Sequence, residues 1–273
     1  MIDLHSHLLP GIDDGAPDLD AALAMARAFV ADGITIVACT PHILPGLYPN
    51  TGADILRRVE WLQGVLDDHA IPLRIVAGAD NHMVPDFVAG LRSGHLLPLH
   101  NSRYVLVEPP HHNAPPRMEE FFFDLLAHGY VPVLTHPERL SWINQRYGAI
   151  EKLADAGVWM QITAGSVLGT FGRGARHWAE RMLDEGRAHI FATDAHDVTK
   201  RPPNLSAALQ MVADRVGRAE AENLFFVRPR AILLNTPPSD LEMPAHRKPT
   251  SQTARADASY AGRRVRGFWR MFQ

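Results

Sequence analysis

Short apolar runs alternate with helix-periodic stretches about seven times along this chain, and that alternation limits the fold more than any other feature. The runs are the one leading into His5 and His7, then Ile34–Cys39, Leu73–Ala79, Tyr104–Val107, Val131–Thr135, Val158–Thr163 and His189–Thr193. Between them, apolar residues recur at helical spacing: Leu23, Ala26, Phe29 and Val30 before Gly33, then Asp54–His69, Arg117–His128, Trp142–Ala156 and Arg173–Glu185. Leu205–Val216 and Ala219–Phe226 close the pattern, with one further turn at Pro229–Leu234. Strands and helices alternating over short connections build a parallel sheet covered by helices. Right-handed crossovers throughout close such a sheet into a barrel. No eighth strand is evident, so the expected fold is α/β, a distorted seven-stranded (β/α)7 TIM-like barrel.

The residues at the strand ends carry the chemistry. The first run opens Ile2-Asp3-Leu4-His5-Ser6-His7 and is followed by Asp13 and Asp14. His-x-His on a strand puts both imidazoles on one side, because side chains alternate with period two. The second run leads to His42, the third to Asp80, the fourth to Glu108, the fifth to His136 and the seventh to Asp194 and His196. In a parallel α/β fold these ends share one face, where ligands bind. One such residue is ordinary, since Asp and His cap helices and satisfy loops. Six of seven strands ending so points to a shared metal site. Imidazole and carboxylate without thiolate suit Mn, Fe or Zn, and nine candidate groups exceed the needs of one ion. Clusters of two or three such ions polarise phosphoryl oxygens and supply hydroxide at neutral pH.

Composition excludes several alternatives. A net charge of −3 over 273 residues gives no general affinity for nucleic acid. The single cysteine, Cys39, lies inside an apolar run and reads as core, so no disulfide framework exists. No run reaches the length of a membrane span, and the start shows no basic-then-apolar leader. A cytoplasmic protein is expected, able to work at the inner face of the membrane.

The His5-x-His7 start, the His136-Pro137-Glu138-Arg139 motif and the Asp194-Ala195-His196 motif resemble the PHP superfamily of polymerase and histidinol phosphatase relatives. With Asp13-Asp14-Gly15 added, the chain resembles that superfamily's bacterial protein-tyrosine phosphatases of capsule and exopolysaccharide operons. The resemblance covers about residues 1–235 and implies a trinuclear centre, manganese foremost, with iron or zinc as alternatives. It implies that His5, His7, Asp80 and Asp194 hold a first metal. Asp80, Glu108 and His136 would hold a second, with Asp80 bridging, and Asp14, His42 and His196 a third. Arg139 and Arg201 correspond to phosphate-contacting arginines. The leaving oxygen would depart as a phenolate or be protonated by a nearby acid, a role open to His42 or His196 if not fully engaged by metal. The bridging position is usually Glu in these relatives and is Asp80 here. The implied substrate is a phosphotyrosine-containing bacterial tyrosine kinase that controls polysaccharide export.

Three alternatives stay open on sequence. One is a PHP phosphoesterase for a small ester such as histidinol phosphate or a sugar phosphate. Another is an amidohydrolase, although the lysine usual at its fourth strand is replaced by Glu108. The third is a non-catalytic metal-binding scaffold for the kinase. His111 and His112, in the Pro109–Pro116 loop, read as solvated, and so does His82; Phe121–Phe123 read as helix core. Residues 236–273 carry seven Lys/Arg against three Asp/Glu, leaving about −7 on the preceding 235. This Pro-rich segment is expected to be a disordered tail. Within it Val265, Phe268, Trp269 and Phe272 fall at helical spacing opposite Arg263, Arg266 and Arg270, a pattern suited to an anionic membrane or a partner. Association of several copies is compatible with such a barrel, but one sequence shows no interface.

Overall fold

The structure, a computed structural model, describes residues 1–245; the basic-aromatic pattern of Val265 to Phe272 lies outside them. The strands are β1 (Ile2–Ser6), β2 (Ile36–Cys39), β3 (His42–Ile43), β4 (Arg74–Ala77), β5 (Asp80–His82), β6 (Tyr104–Glu108), β7 (Val131–Thr135), β8 (Trp159–Thr163) and β9 (Ile190–Ala192). Helices α1 (Leu19–Ala31), α2 (Gly52–Asp68), α3 (Phe87–Ser93), α4 (Met118–Ala127) and α5 (Ile143–Asp155) lie between them. They are followed by α6 (Ala164–Leu168), α7 (Gly172–Asp184), α8 (Leu205–Val216), α9 (Arg218–Glu222) and, after a π-turn over Asn223–Val227, α10 (Arg228–Leu233). Local chemistry sets several starts: Asp18 caps α1 by accepting from Ala21 N, and Thr51 caps α2 by accepting from Asp54 N.

Every strand pair is parallel, in two sheets ordered β1-β2-β4 and β3-β5-β6-β7-β8-β9. The seven runs read from the sequence therefore appear among the described residues as nine short strands. The two extra strands, β3 and β5, follow the ends of the second and third runs, and the residues in between explain the breaks. The second run ends at Cys39, and because Pro41 has no N–H for the ladder the pairing at His42–Ile43 beyond it is a separate strand, β3. Gly78 breaks the third run where the chain passes close to its neighbours; a Cβ there would stand 2.9 Å from Leu99 Cδ2 and 3.1 Å from Thr40 Cγ2. The sheets curve into a partial barrel. At its far edge Ala195, just after β9, bridges back to Ser6 of β1, with His7 N donating to Ala195 O and Asp194 N to His5 O, both at 2.9 Å.

The strands are buried on both faces, which is why they read as continuous apolar runs. Val105, Val107, Leu134, Met160, Ile162 and Phe191 pack under the helices. The alternate residues Tyr104, Leu106, Val133, Trp159 and Ile190, with Leu4, fill the inside. Cys39 is fully buried in the outer cluster. The β1–β2 register slips between Asp3 and Ser6. Such a bulge re-aims side chains, and here Leu4 stays in the inner core while His5 and His7 both reach the strand ends.

Residues 236–245 run under the inside of the sheet. Tyr104 Oη donates to Thr236 O at 2.6 Å, and Leu241 and Met243 pack on the inner cluster. Arg228, fully buried, donates to Glu242 O at 3.0 and 2.9 Å and pairs with Glu220 at 2.7 Å. Among the described residues no helix is long and apolar enough to cross a membrane.

Candidate metal centre

All eleven candidate site residues meet at the carboxyl ends of the strands. His5 and His7 leave β1 with their Nε2 atoms 3.3 Å apart. Each ring is oriented by its other nitrogen. His5 Nδ1 donates to Gln161 Oε1 at 2.8 Å, and His7 Nδ1 donates to Asp13 Oδ2 at 2.7 Å. Both Nε2 atoms therefore point into one space, where a bound divalent cation would meet them together in place of a proton. Asp194 Oδ1 lies 3.4 Å from His5 Nε2 and 3.3 Å from His7 Nε2. Asp80 Oδ2 stands 3.6 Å from His5 Nε2 and 3.4 Å from His42 Nδ1.

His196 Nδ1 bonds the Asp194 carbonyl at 3.0 Å, turning Nε2 to Asp14 Oδ1 at 3.3 Å; His42 Nε2 reaches the same oxygen at 3.5 Å. Around Glu108, His136 Nε2 lies 3.5 Å and His111 Nε2 3.2 Å from Oε1, while His42 Nδ1 and His82 Nε2 lie 3.3 and 2.6 Å from Oε2. Two sequence expectations are corrected here. His82 and His111 are not solvated loop residues: β5 and the turn after β6 bring both to Glu108. His112 stays exposed. Of the aromatic run, Phe122 is core, whereas Phe123 is 43% exposed.

The His136–Arg139 motif works as a unit. His136 takes a left-handed conformation, φ 35°, so the chain turns off the strand, and Asp194 does the same at φ 53°. Non-glycine residues held there store strain that marks functional sites. Pro137 opens a 3-10 turn. Glu138, buried, accepts from Thr163 N at 3.0 Å and Ser166 Oγ at 2.7 Å, pinning that turn. Arg139 is thereby aimed at Asp194 Oδ2, which Arg201 also binds. Both guanidiniums lie over the Phe171 ring, at 4.2 and 5.9 Å.

The electrostatics call for cations. Burial opposes charge on His7, yet Asp13 and Asp194 raise its pKa to about 10. Burial likewise opposes charge on Asp194, but His5, Arg201, His7 and Arg139 hold it well below the usual carboxylate range. His136 moves the other way: burial, then Arg139, pushes it well below an ordinary histidine, towards the neutral form a metal needs. Both oxygens of Asp80, Glu108 Oε2, His42 Nδ1 and His196 Nε2 are buried without a hydrogen-bond partner. Such atoms are costly unless something binds them. The donor set fits divalent metal: four-residue His7, Asp14, His42 and His196, and three-residue sets His5–His7–Asp80, His5–His136–Asp194 and Glu108–His111–His136 each gather ligand atoms within 4.8 Å.

Sequence reasoning missed Gln161, Asp13 as an orienting carboxylate, His82 and His111. Gln161 lies mid-strand with no local signal. His82 had one, since Asp80-x-His82 repeats the His5-x-His7 spacing.

Fold and site together define a parallel α/β protein with a buried imidazole–carboxylate centre at the carboxyl ends of its strands. Comparison with known proteins narrows the class. The chain belongs to the family described as Capsular polysaccharide synthesis, CpsB/CapC, which matches residues 1–234. It is 35% identical over 217 residues to the tyrosine-protein phosphatase YwqE of Bacillus subtilis, covering 80% of this chain and 85% of that one. It is 26% identical over 244 residues to the tyrosine-protein phosphatase CpsB of Streptococcus pneumoniae, covering 86% and 99%. A crystal structure from work on YwqE and CpsB, which calls them metal-dependent tyrosine phosphatases, superposes with a TM-score of 0.85 at 32% identity, covering 91% of this chain and all of that one.

Proposed function

We propose that this protein is a metal-dependent protein-tyrosine phosphatase of capsular or exopolysaccharide synthesis, acting on a bacterial tyrosine autokinase. The observation that carries the proposal is the two arginines meeting on Asp194 at the edge of a cluster of carboxylates and imidazoles with orphaned ligand atoms. In this reading the nine short strands occupy seven barrel positions, the phosphatase domain spans residues 1–235 with 236–245 packed on it, and the basic segment beyond would serve a membrane or partner at the inner membrane face.

Two or three divalent ions, manganese foremost, would be held by His5, His7, Asp80 and Asp194, by Asp80, Glu108 and His136, and by Asp14, His42 and His196. When bound, such ions polarise phosphoryl oxygens and lower the pKa of water. The chain does the rest. Gln161 and Asp13 fix the tautomers of His5 and His7. Arg139 and Arg201 take the phosphoryl oxygens in their planar forks, which match phosphate geometry, and they stabilise charge that builds there. Phe171 and Glu138 keep Arg139 in place. The tyrosyl oxygen leaves as a phenolate, or takes a proton from His42 or His196 when that ring is not held by metal.

The test is phosphate release from a phosphotyrosyl peptide, beside histidinol phosphate and a sugar phosphate, with His136→Ala as control. Preference for the peptide, lost in the variant, supports the proposal. Turnover of the small esters alone keeps the centre and overturns the substrate. Metal binding with no turnover of any ester makes the protein a scaffold.

A further inference from the structure

We infer that His82 is a further ligand of the metal centre, acting with Glu108 and His42; this rests on the metal-centre reading above. Strand β5 pairs with β6 in parallel register, His82 beside Glu108. Period two puts Asp80 and His82 on one face of β5 and Asn81 on the other. Asn81 is locked in place. Its Nδ2 donates to Ala79 O, Leu97 O and Leu106 O at 3.0, 2.9 and 3.1 Å, and the residue is fully buried. The strand therefore cannot roll to release His82 into solvent.

His82 Nε2 lies 2.6 Å and His42 Nδ1 3.3 Å from Glu108 Oε2. Ligand atoms of the three residues all lie within 4.8 Å of one another. Glu108 is 5% exposed, and its Oε2 faces both His82 Nε2 and His42 Nδ1, the latter without a well-aligned hydrogen bond. Two imidazoles and a carboxylate converging on one point form a three-donor site for a divalent metal such as manganese or zinc. A plainer role also exists: His82 could simply donate a hydrogen bond to Glu108. The two roles differ in what can replace the histidine. A carboxylate ligates metal but cannot donate and would repel Glu108; an amide donates but ligates poorly.

The experiment titrates the full chain with Mn2+ by calorimetry and with Co2+ by absorbance. His82→Ala is expected to weaken one ion at least tenfold and alter the Co2+ spectrum. His82→Asp is expected to recover binding and His82→Asn not to. Recovery by His82→Asn and not by His82→Asp, or wild-type affinity in His82→Ala, overturns the inference and leaves the rest of the centre standing. Should the variants fail to fold, the wild type still decides. Diethyl pyrocarbonate, read by peptide mass mapping, should modify His82 after chelation and spare it in the Mn2+-loaded protein; equal modification in both overturns the inference. A wild type that binds no metal overturns the centre reading and the inference together.

Discussion

Replacing Gly15 by alanine should damage the centre without touching a ligand. Gly15 follows Asp13 and Asp14, and its backbone lies against that of His7. A Cβ there would stand 2.1 Å from His7 O and 2.4 Å from His7 Cβ, where real contacts stay beyond 3.0 Å. The nearest atoms are backbone and Cβ, so no side-chain rotation gives relief, and the loop must move by about 1 Å to restore ordinary contact distances. That shift strains the Ala16 N to His7 O bond at 3.1 Å and the charge-assisted His7–Asp13 bond at 2.7 Å. Losing one neutral and one charge-assisted bond costs about 2–4 kcal/mol, which in a domain of this size lowers Tm by about 4–16 °C. Asp14 moves with the loop, and metal sites tolerate only about 0.2 Å of ligand displacement. Gly15→Ala should therefore melt early by calorimetry and hold the ion near Asp14, His42 and His196 at least about tenfold more weakly. An unchanged Tm with unchanged metal content would refute the steric argument. A lower Tm with wild-type metal affinity would separate the loop's structural role from Asp14.

Other perturbations separate positioning from chemistry. Arg139→Ala should lower kcat/KM for a phosphotyrosyl peptide by about 10²–10³ while bound metal, measured by atomic analysis, stays constant. Gln161→Leu leaves His5 Nδ1–H buried and unpaired; it should cost about 1–3 kcal/mol by urea unfolding and about 10–100-fold in metal affinity. Tyr104 and Tyr147 supply a pH test. Burial raises Tyr104 to about 12, and burial with Glu185 raises Tyr147 well above an ordinary phenol. The native state thus keeps protons that the unfolded state sheds above pH 10, so stability should fall as pH rises from 10 towards 12. Ionisation followed at 295 nm should show at least two of the five tyrosines titrating late, and all five ionising near pH 10 in the native protein would contradict this.

How much of this was legible in the sequence depends on whether a residue acts locally. His5, His7, Glu108, His136 and Asp194 stand at strand ends, and period and position alone bring them to one face. Arg139 was reached through the resemblance of its motif, and its local cause, the turn at His136, shows only in the structure. Gln161 was not: it acts on His5 from a strand 156 residues away, and an amide in the middle of an apolar run carries no local mark. The break at Pro41 was readable from a missing donor, but β3 beyond it spans only two residues and shows no period. The short helices α3 and α6 lack the length for periodicity to show. Residues 236–245 looked like the start of a polar tail because their anchors, Tyr104 and Arg228, are remote in sequence.

The route of those ten residues decides which way the molecule faces when it is held by its end. Tyr104 stands at the entry of β6 and Glu108 at its exit, and the segment from Thr236 to Ala245 lies on the entry side. The described chain thus ends beneath the sheet, with the arginines and the centre at its other end. A tether attached at Ala245, whether a surface, a fusion partner or a lipid sheet, would pull on the underside and leave the catalytic mouth turned outward.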